Sequence, residues 1–80
     1  MTLKAAFLFV APGADPAQHR SIIRTPSVEL TTVGVSNYSS ALQVVADLTE
    51  QGVTAIELCG GFGIDGTAAV NKAAAGKAVV

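Results

Sequence analysis

Length, composition and charge limit what this chain can be. Its 80 residues suffice for one domain, which buries about 60–65% of the surface that the unfolded chain exposes. Half of the residues are hydrophobic and 14% are charged, against a usual charged share of about 25%. We therefore expect part of the apolar surface to be covered by another copy of the chain, in a homo-oligomer.

Charge and hydropathy patterning exclude several classes of partner. Five basic and six acidic residues give a net charge of −1 and form no run of either sign, which disfavours nucleic acid and anionic membranes. The apolar residues 5–11 are too few for a membrane span and lack a clean signal-peptide cleavage site. Cys59 is the single cysteine, so no intrachain disulfide forms and a reducing compartment is favoured. We expect a soluble, cytoplasmic protein.

The first elements in chain order are a strand and a helix. Residues 3–11, LKAAFLFVA, are continuously apolar, which is typical of a central strand buried on both faces. Asp15 then suits a helix cap, Pro16 the first helical position, and Gln18 completes a capping box. This helix is expected to stop before Pro26.

A second strand and helix follow. Residues 28–35, VELTTVGV, are β-branched and partly alternating, as expected for a strand nearer an edge. Asn37 or Ser39 caps the next helix, which runs through Gln51 and ends at Gly52. Its inward stripe has 3–4 residue spacing and consists of Tyr38, Ala41, Leu42, Val45 and Leu48.

The last third of the chain repeats this pattern. Residues 53–59, VTAIELC, predict a third strand, which leads into the glycine-rich run CGGFGIDG. An alanine-rich helix follows and ends at Gly76, and residues 77–80 predict a short fourth strand. The strands begin about 25 residues apart, which is the βα repeat of a parallel sheet.

The expected fold is α/β over a single domain, residues 1–80. It is a flavodoxin-like fragment, unlike a ferredoxin fold, with about four parallel strands in the order 2-1-3-4 and helices on both faces. This order places the apolar first strand in the middle. The alternative is a partial (β/α) barrel with strands in sequential order, completed by oligomerisation.

The glycine-rich run is the expected ligand site, because ligands collect at the carboxyl ends of parallel strands. Bare backbone N–H groups and the start of the next helix suit phosphate or carboxylate. We expect a small anionic metabolite, bound by Pro12, Gly13, Gly60, Gly61, Phe62 and Gly63. Gly61, Gly63 and Gly66 also satisfy G-x-G-x-x-G, although this motif normally follows a first strand. The alternative is a tight turn whose glycines provide positive φ angles and close packing.

Three titratable side chains are candidates for catalysis, and each has a plainer alternative. Glu57 and Cys59 lie two apart on a strand and so point to the same side. A Cys59 thiol at a helix N-terminus can serve as nucleophile or acid/base, or it is simply a buried hydrophobe. Glu57 otherwise pairs with Lys4 or lies at a dimer edge. His19 is either a catalyst or a surface and packing residue.

Three classes of function remain open on these residues. They are binding of a small anionic metabolite, a lyase or isomerase that uses Glu57 or Cys59, and a structural oligomerisation module without a ligand. One histidine, one cysteine and no clustered carboxylates predict no metal site. No cofactor is indicated.

Three segments, KAAFLFVAPGADPAQHR, VELTTVGVSNY and AIELCGGFG, together resemble a family of short bacterial α/β proteins known only as a domain of unknown function. The resemblance covers essentially all of the chain and implies no activity. Members usually continue past the fourth strand, so it implies a chain that is short at its C-terminus. More loosely, ALQVVADLTEQGVTAIEL is similar to the helix–strand units of (β/α)-barrel aldolases and decarboxylases, although the strand-borne lysine of Schiff-base chemistry is missing.

Overall fold

A four-stranded sheet with two helices on one of its faces forms the body of the protein. The computed structural model describes residues 2–80. Its elements in chain order are the strands and helices β1 (Leu3–Val10), β2 (Arg20–Arg24), β3 (Val28–Val35), α1 (Tyr38–Glu50), β4 (Ala55–Leu58) and α2 (Gly63–Ala74), with a single 3₁₀ turn at Gly60–Phe62 between β4 and α2. Neither helix within the described range is long and apolar enough to cross a membrane.

Strand β1 lies inside the sheet, whose order is β2-β3-β1-β4. It pairs in parallel with β3 along its whole length and with β4 over four positions. β2 runs antiparallel to β3 at the edge. Beyond β4, Val79 forms a single parallel bridge with Ala55, which is all that is present of the expected fourth strand.

The segment expected to be the first helix is mostly an edge strand. Asp15 does begin a turn, in which its Oδ1 accepts from the N–H of Ala17 at 2.9 Å and its carbonyl accepts from that of His19 at 2.7 Å. The turn does not continue, because the next five residues pair with β3. Ile22 and Ile23 are β-branched and favour this strand. The capping signal therefore specified one turn and no helix.

The fold class α/β is confirmed, but the detailed expectation is wrong in two respects. The sheet is not the purely parallel one expected, because an additional antiparallel strand, β2, occupies one edge. The first three predicted strands, which are β1, β3 and β4 here, do lie in the expected relative order, with β1 between the other two. The helices do not cover both faces, since α1 and α2 share one core with the same side of the sheet. The sequential strand order of a partial barrel is also absent, because β1 lies between β3 and β4.

The core lies between the helices and this covered face. Ala6 and Leu8 of β1 are fully buried, as are Val33 and Val35 of β3. The helices supply the other side of the core, through residues Ala41, Val44, Val45, Leu48, Val70 and Ala74. Alternation along the strands therefore places one half of their apolar residues beneath the helices.

Helix α1 follows its sequence signals closely. The Oδ1 of Asn37 accepts from the N–H of Ser40 at 2.8 Å, which confirms Asn37 as the N-cap. Ala41, Val45 and Leu48 are buried as expected. Leu42, which was also expected in the inward stripe, is only half-buried, and Val44 is buried in addition.

The opposite side of the sheet has no helix over it, and we call it the open face. It consists of the alternate strand residues that point away from the core: residues 3, 5, 7 and 9 of β1, Ser21 and Ile23 of β2, residues 28, 30, 32 and 34 of β3, and Ala55 and Glu57 of β4. Apolar residues predominate there. Ile23 is 56% exposed and Leu3 is 45% exposed.

Removing a core side chain should distinguish this covered face from the exposed apolar surface. Leu8→Ala is expected to lower the free energy of unfolding by about 2–5 kcal/mol, because Leu8 is fully buried. Ile64→Ala, at a side chain that is 90% exposed, should change it by less than about 0.5 kcal/mol. Urea denaturation of both variants measures the difference, and equal losses would contradict the assigned core.

Candidate functional site

The carboxyl ends of the three parallel strands meet at one edge of the sheet. The chain leaves β4 there through residues 59–63, which we call the glycine loop, and enters α2. The N–H of Cys59 donates to the carbonyl of Leu8 at 3.0 Å, which continues the pairing of β4 with β1. The start of the loop is thus fixed to the central strand.

The other four backbone amides of the glycine loop, those of residues 60–63, divide into two pairs. The N–H of Phe62 donates to the carbonyl of Cys59 at 3.1 Å, and the N–H of Gly63 donates to that of Gly60. The N–H groups of Gly60 and Gly61 meet no protein acceptor within residues 2–80. Two neighbouring donors at this edge are therefore available to a ligand.

The fold itself requires two of the three glycines in this loop. A Cβ on Gly61 would lie 2.9 Å from the Cγ1 of Val10. Gly63 has φ 60° and ψ −171°, a combination that is almost confined to glycine. Gly60 has neither constraint, because its φ is not positive and no atom lies within 4 Å of its missing Cβ. Packing and backbone geometry thus leave Gly60 unexplained.

Tyr38, the first residue of α1, holds the loop from the other side. Its hydroxyl donates to the carbonyl of Gly61 at 2.9 Å, and its ring stacks on that of Phe62 with centroids 5.6 Å apart. Gly66 permits this stack, since a Cβ there would lie 3.2 Å from the Cζ of Tyr38 and 3.3 Å from the Cδ2 of Phe62. The 3–4 residue spacing predicts that Tyr38 belongs to the inward stripe of α1, but the residue is 45% exposed and bonds the glycine loop instead. Its position at the start of α1, three residues after the carboxyl end of β3, was the available signal.

Two clefts flank the glycine loop. One, which we call the Gly60 cleft, has a volume of about 410 Å³ and is lined by Leu58, Cys59, Gly60, Gly63, Ile64 and Thr67. The other, of about 270 Å³, lies between the loop and α1 and is lined by Val10, Asn37, Tyr38 and Gly61. The Thr67 hydroxyl in the first cleft donates to the carbonyl of Gly63 at 2.7 Å.

The predicted binding residues are only partly brought together. Gly60 and Gly63 line the Gly60 cleft, and Gly61 lines the other. Phe62 is 1% exposed and belongs to the core, so its side chain forms no binding wall. Pro12 and Gly13 are exposed in the turn after β1 and line neither cleft.

The three candidate catalytic residues occupy different surroundings. Cys59 is half-buried at the Gly60 cleft. Glu57 is exposed on the open face, and the Nζ of Lys4 lies 4.0 Å from Glu29 instead, so no Glu57–Lys4 pair forms. His19 lines a separate cleft with Phe9, where its Nδ1 accepts from the N–H of Asp15 at 2.8 Å.

Charge near the glycine loop is sparse. No lysine or arginine lines either cleft, and the exposed Asp65 is the acidic residue in the first turn of α2. Attraction for an anion would come from the free N–H groups and the start of α2, with a small repulsion from Asp65. No group of three or more His, Cys, Asp and Glu side chains within residues 2–80 could hold a metal ion.

A family model described as a family of unknown function, DUF6506, matches residues 3–80. The chain belongs to this family. Comparison with curated proteins and with solved structures gave no match, so the looser likeness to barrel aldolases has no support. Membership in DUF6506 agrees with the family resemblance of the three quoted segments and assigns no activity.

Alanine substitutions should distinguish Gly61, which the packing of the fold requires, from Gly60, which it does not require. Gly61→Ala is expected to lower the free energy of unfolding by about 1–3 kcal/mol, because its Cβ would crowd Val10. Gly60→Ala should change it by less than about 0.5 kcal/mol, since its Cβ would enter open space. Chemical denaturation tests the pair, and a Gly60 variant as unstable as the Gly61 variant would show that the fold requires both.

Proposed function

We propose that this protein is a small cytoplasmic α/β binding protein that takes a metabolite with a carboxylate or phosphate group in the Gly60 cleft. The observation that carries the proposal is at Gly60. Its N–H group is unpaired and the space beside its Cα is empty. A glycine that the fold does not need, and that carries a free donor in the lining of a cleft, permits close approach of an oxyanion to the backbone.

The surroundings of Gly60 favour a particular kind of ligand. Leu58 and the 90% exposed Ile64 provide apolar walls, while the polar groups are the free amide of Gly60 and the thiol of Cys59. No lysine or arginine lines the cleft, and the acidic Asp65 directly follows the lining residue Ile64 in α2. A singly charged carboxylate with an apolar body fits this balance better than a doubly charged phosphate.

Binding is favoured over lyase or isomerase chemistry by the placement of the titratable groups. Cys59 shares its cleft with neither Glu57 nor His19. Proton transfer needs a donor and an acceptor within hydrogen-bond reach of the same substrate. The Thr67 hydroxyl, the other protic side chain in the cleft, is already bonded to the loop.

Titration of the protein with pyruvate, butyrate and inorganic phosphate, followed by amide NMR, tests this proposal. The amide resonance of Gly60 is expected to shift most, and with saturation. Gly60→Ala should weaken binding at least about tenfold, because its Cβ keeps an oxygen from the N–H groups. Ile64→Ala, which removes an apolar wall and leaves the donor of Gly60, should weaken the binding of butyrate more than that of phosphate. No localised shift at millimolar ligand, or equal binding by the Gly60 variant, would refute the site.

The charge of Asp65 gives a second prediction. Asp65→Asn should strengthen anion binding about two- to threefold at low salt, because it removes an exposed like charge at the start of α2. The gain should disappear at about 0.5 M salt, where exposed charges are screened. Titrations at two ionic strengths measure both effects. Weaker binding by this variant would indicate that the ligand is not anionic.

A further inference from the structure

The open face leaves apolar side chains without cover at the centre of a small protein. Phe7 and Phe9 of β1 and Leu30 of β3 are only half-buried, and Ile23 on β2 is 56% exposed. Together with Leu3 they form a continuous surface across neighbouring strands. Contiguous apolar surface of this kind marks an interaction site.

The size of this surface suits a pair of sheets. Four strands about 4.8 Å apart, with a mean length of about six residues of about 3.3 Å each, give a face of about 20 Å by 20 Å. Two such faces together bury on the order of 1,000 Å² of accessible surface, because protruding side chains make the accessible area larger than the projected area. This area is enough for a specific interface. A sheet-on-sheet contact is therefore large enough to hold two copies together.

We propose that the open faces of two copies pack against each other about a two-fold axis that runs along the strands, between β1 and β3. This rotation places β4 of one copy over β2 of the partner, and β1 over β3. Each contact then occurs twice, as in any isologous dimer. The composition predicts a homo-oligomer, and this proposal names the surface through which the copies would associate. That surface is distinct from the Gly60 cleft.

Side-chain size across the sheet supports this axis. The register aligns Ala55, Ala5, Leu30 and Ile23 in one row from β4 to β2. The proposed rotation sets Ala55 opposite Ile23 of the partner subunit and Ala5 opposite Leu30 of the partner subunit. Small residues thus face large ones along the whole row, which lets two apolar layers interdigitate at the usual sheet separation of about 10 Å.

The polar residues of the next row favour the same axis. That row runs Glu57, Phe7, Thr32 and Ser21 from β4 to β2. The rotation brings the carboxylate of Glu57 opposite Ser21 of the partner subunit, whose hydroxyl is a donor. A two-fold axis that crosses the strands at this row would instead place β4 over β4 and bring the two Glu57 carboxylates together without a donor.

Sedimentation velocity with a matched pair of variants tests the interface. The unaltered protein is expected to be a dimer at micromolar concentration. Ile23→Glu should raise the dimer dissociation constant at least about tenfold, because it buries an unpaired carboxylate, and Ile64→Glu should leave it unchanged. Circular dichroism checks that both variants fold. A monomer at 100 µM, or equal weakening by both variants, would overturn the proposal.

Cross-linking of mixed single variants tests the direction of the axis. Ser21→Cys and Glu57→Cys are each made with Cys59→Ser, and a bismaleimide of about 10 Å span is added, which matches the separation of packed sheets. Covalent dimer is expected from the mixture and not from either variant alone. Cross-linking of Glu57→Cys by itself would support the rejected axis, and none in any sample would contradict the face-to-face dimer.

Discussion

Parallel pairing on both edges of β1 is the constraint on which the rest of the structure depends. β3 and β4 each run in the same direction as β1, so the chain must return across the sheet before each new strand. The return from β3 to β4 is α1, which passes over β1 and covers Ala6 and Leu8. The helix that makes the crossover between parallel strands is therefore also the helix that buries the apolar first strand.

The return from β1 to β3 is made differently, and the open face is its consequence. An antiparallel strand, β2, carries the chain back beside β3, where a doubly wound sheet would use a helix on the opposite face. The remaining crossovers, by α1 and α2, step in the same direction across the sheet, and right-handed connections then place both helices on the same side. Phe7 and Phe9 lose the helix that would have covered them.

The sequence predicts most of the covered half of this protein and fails where two local preferences compete. The Asn37 cap, the inward residues of α1 and the central position of β1 follow from capping and hydropathy patterns that agree with each other. Between Asp15 and Arg24, a capping box and a β-branched run compete, and only pairing with β3 decides in favour of the strand. That pairing is a long-range contact, which no local pattern contains.

The glycine loop shows the same limit at the level of single residues. The glycine-rich run predicts bare backbone, but the structure gives its glycines different reasons. Close packing requires Gly61 and Gly66, and a positive φ angle requires Gly63. Neither reason applies to Gly60. Spacing alone could not make this distinction, because it depends on Val10, Phe62 and Tyr38 from other elements.

The anchoring of the loop bears directly on how its free amides could bind. Phe62 is sealed in the core and Tyr38 bonds the carbonyl of Gly61, so the peptide units of Gly60 and Gly61 are held from both sides. Donors that are already fixed lose little conformational entropy when a ligand arrives. Because Tyr38 begins the helix that crosses β1, the same crossover that buries the first strand also positions these donors. The proposed oxyanion site therefore depends on backbone dipoles that the fold has already fixed, and not on a nearby cation.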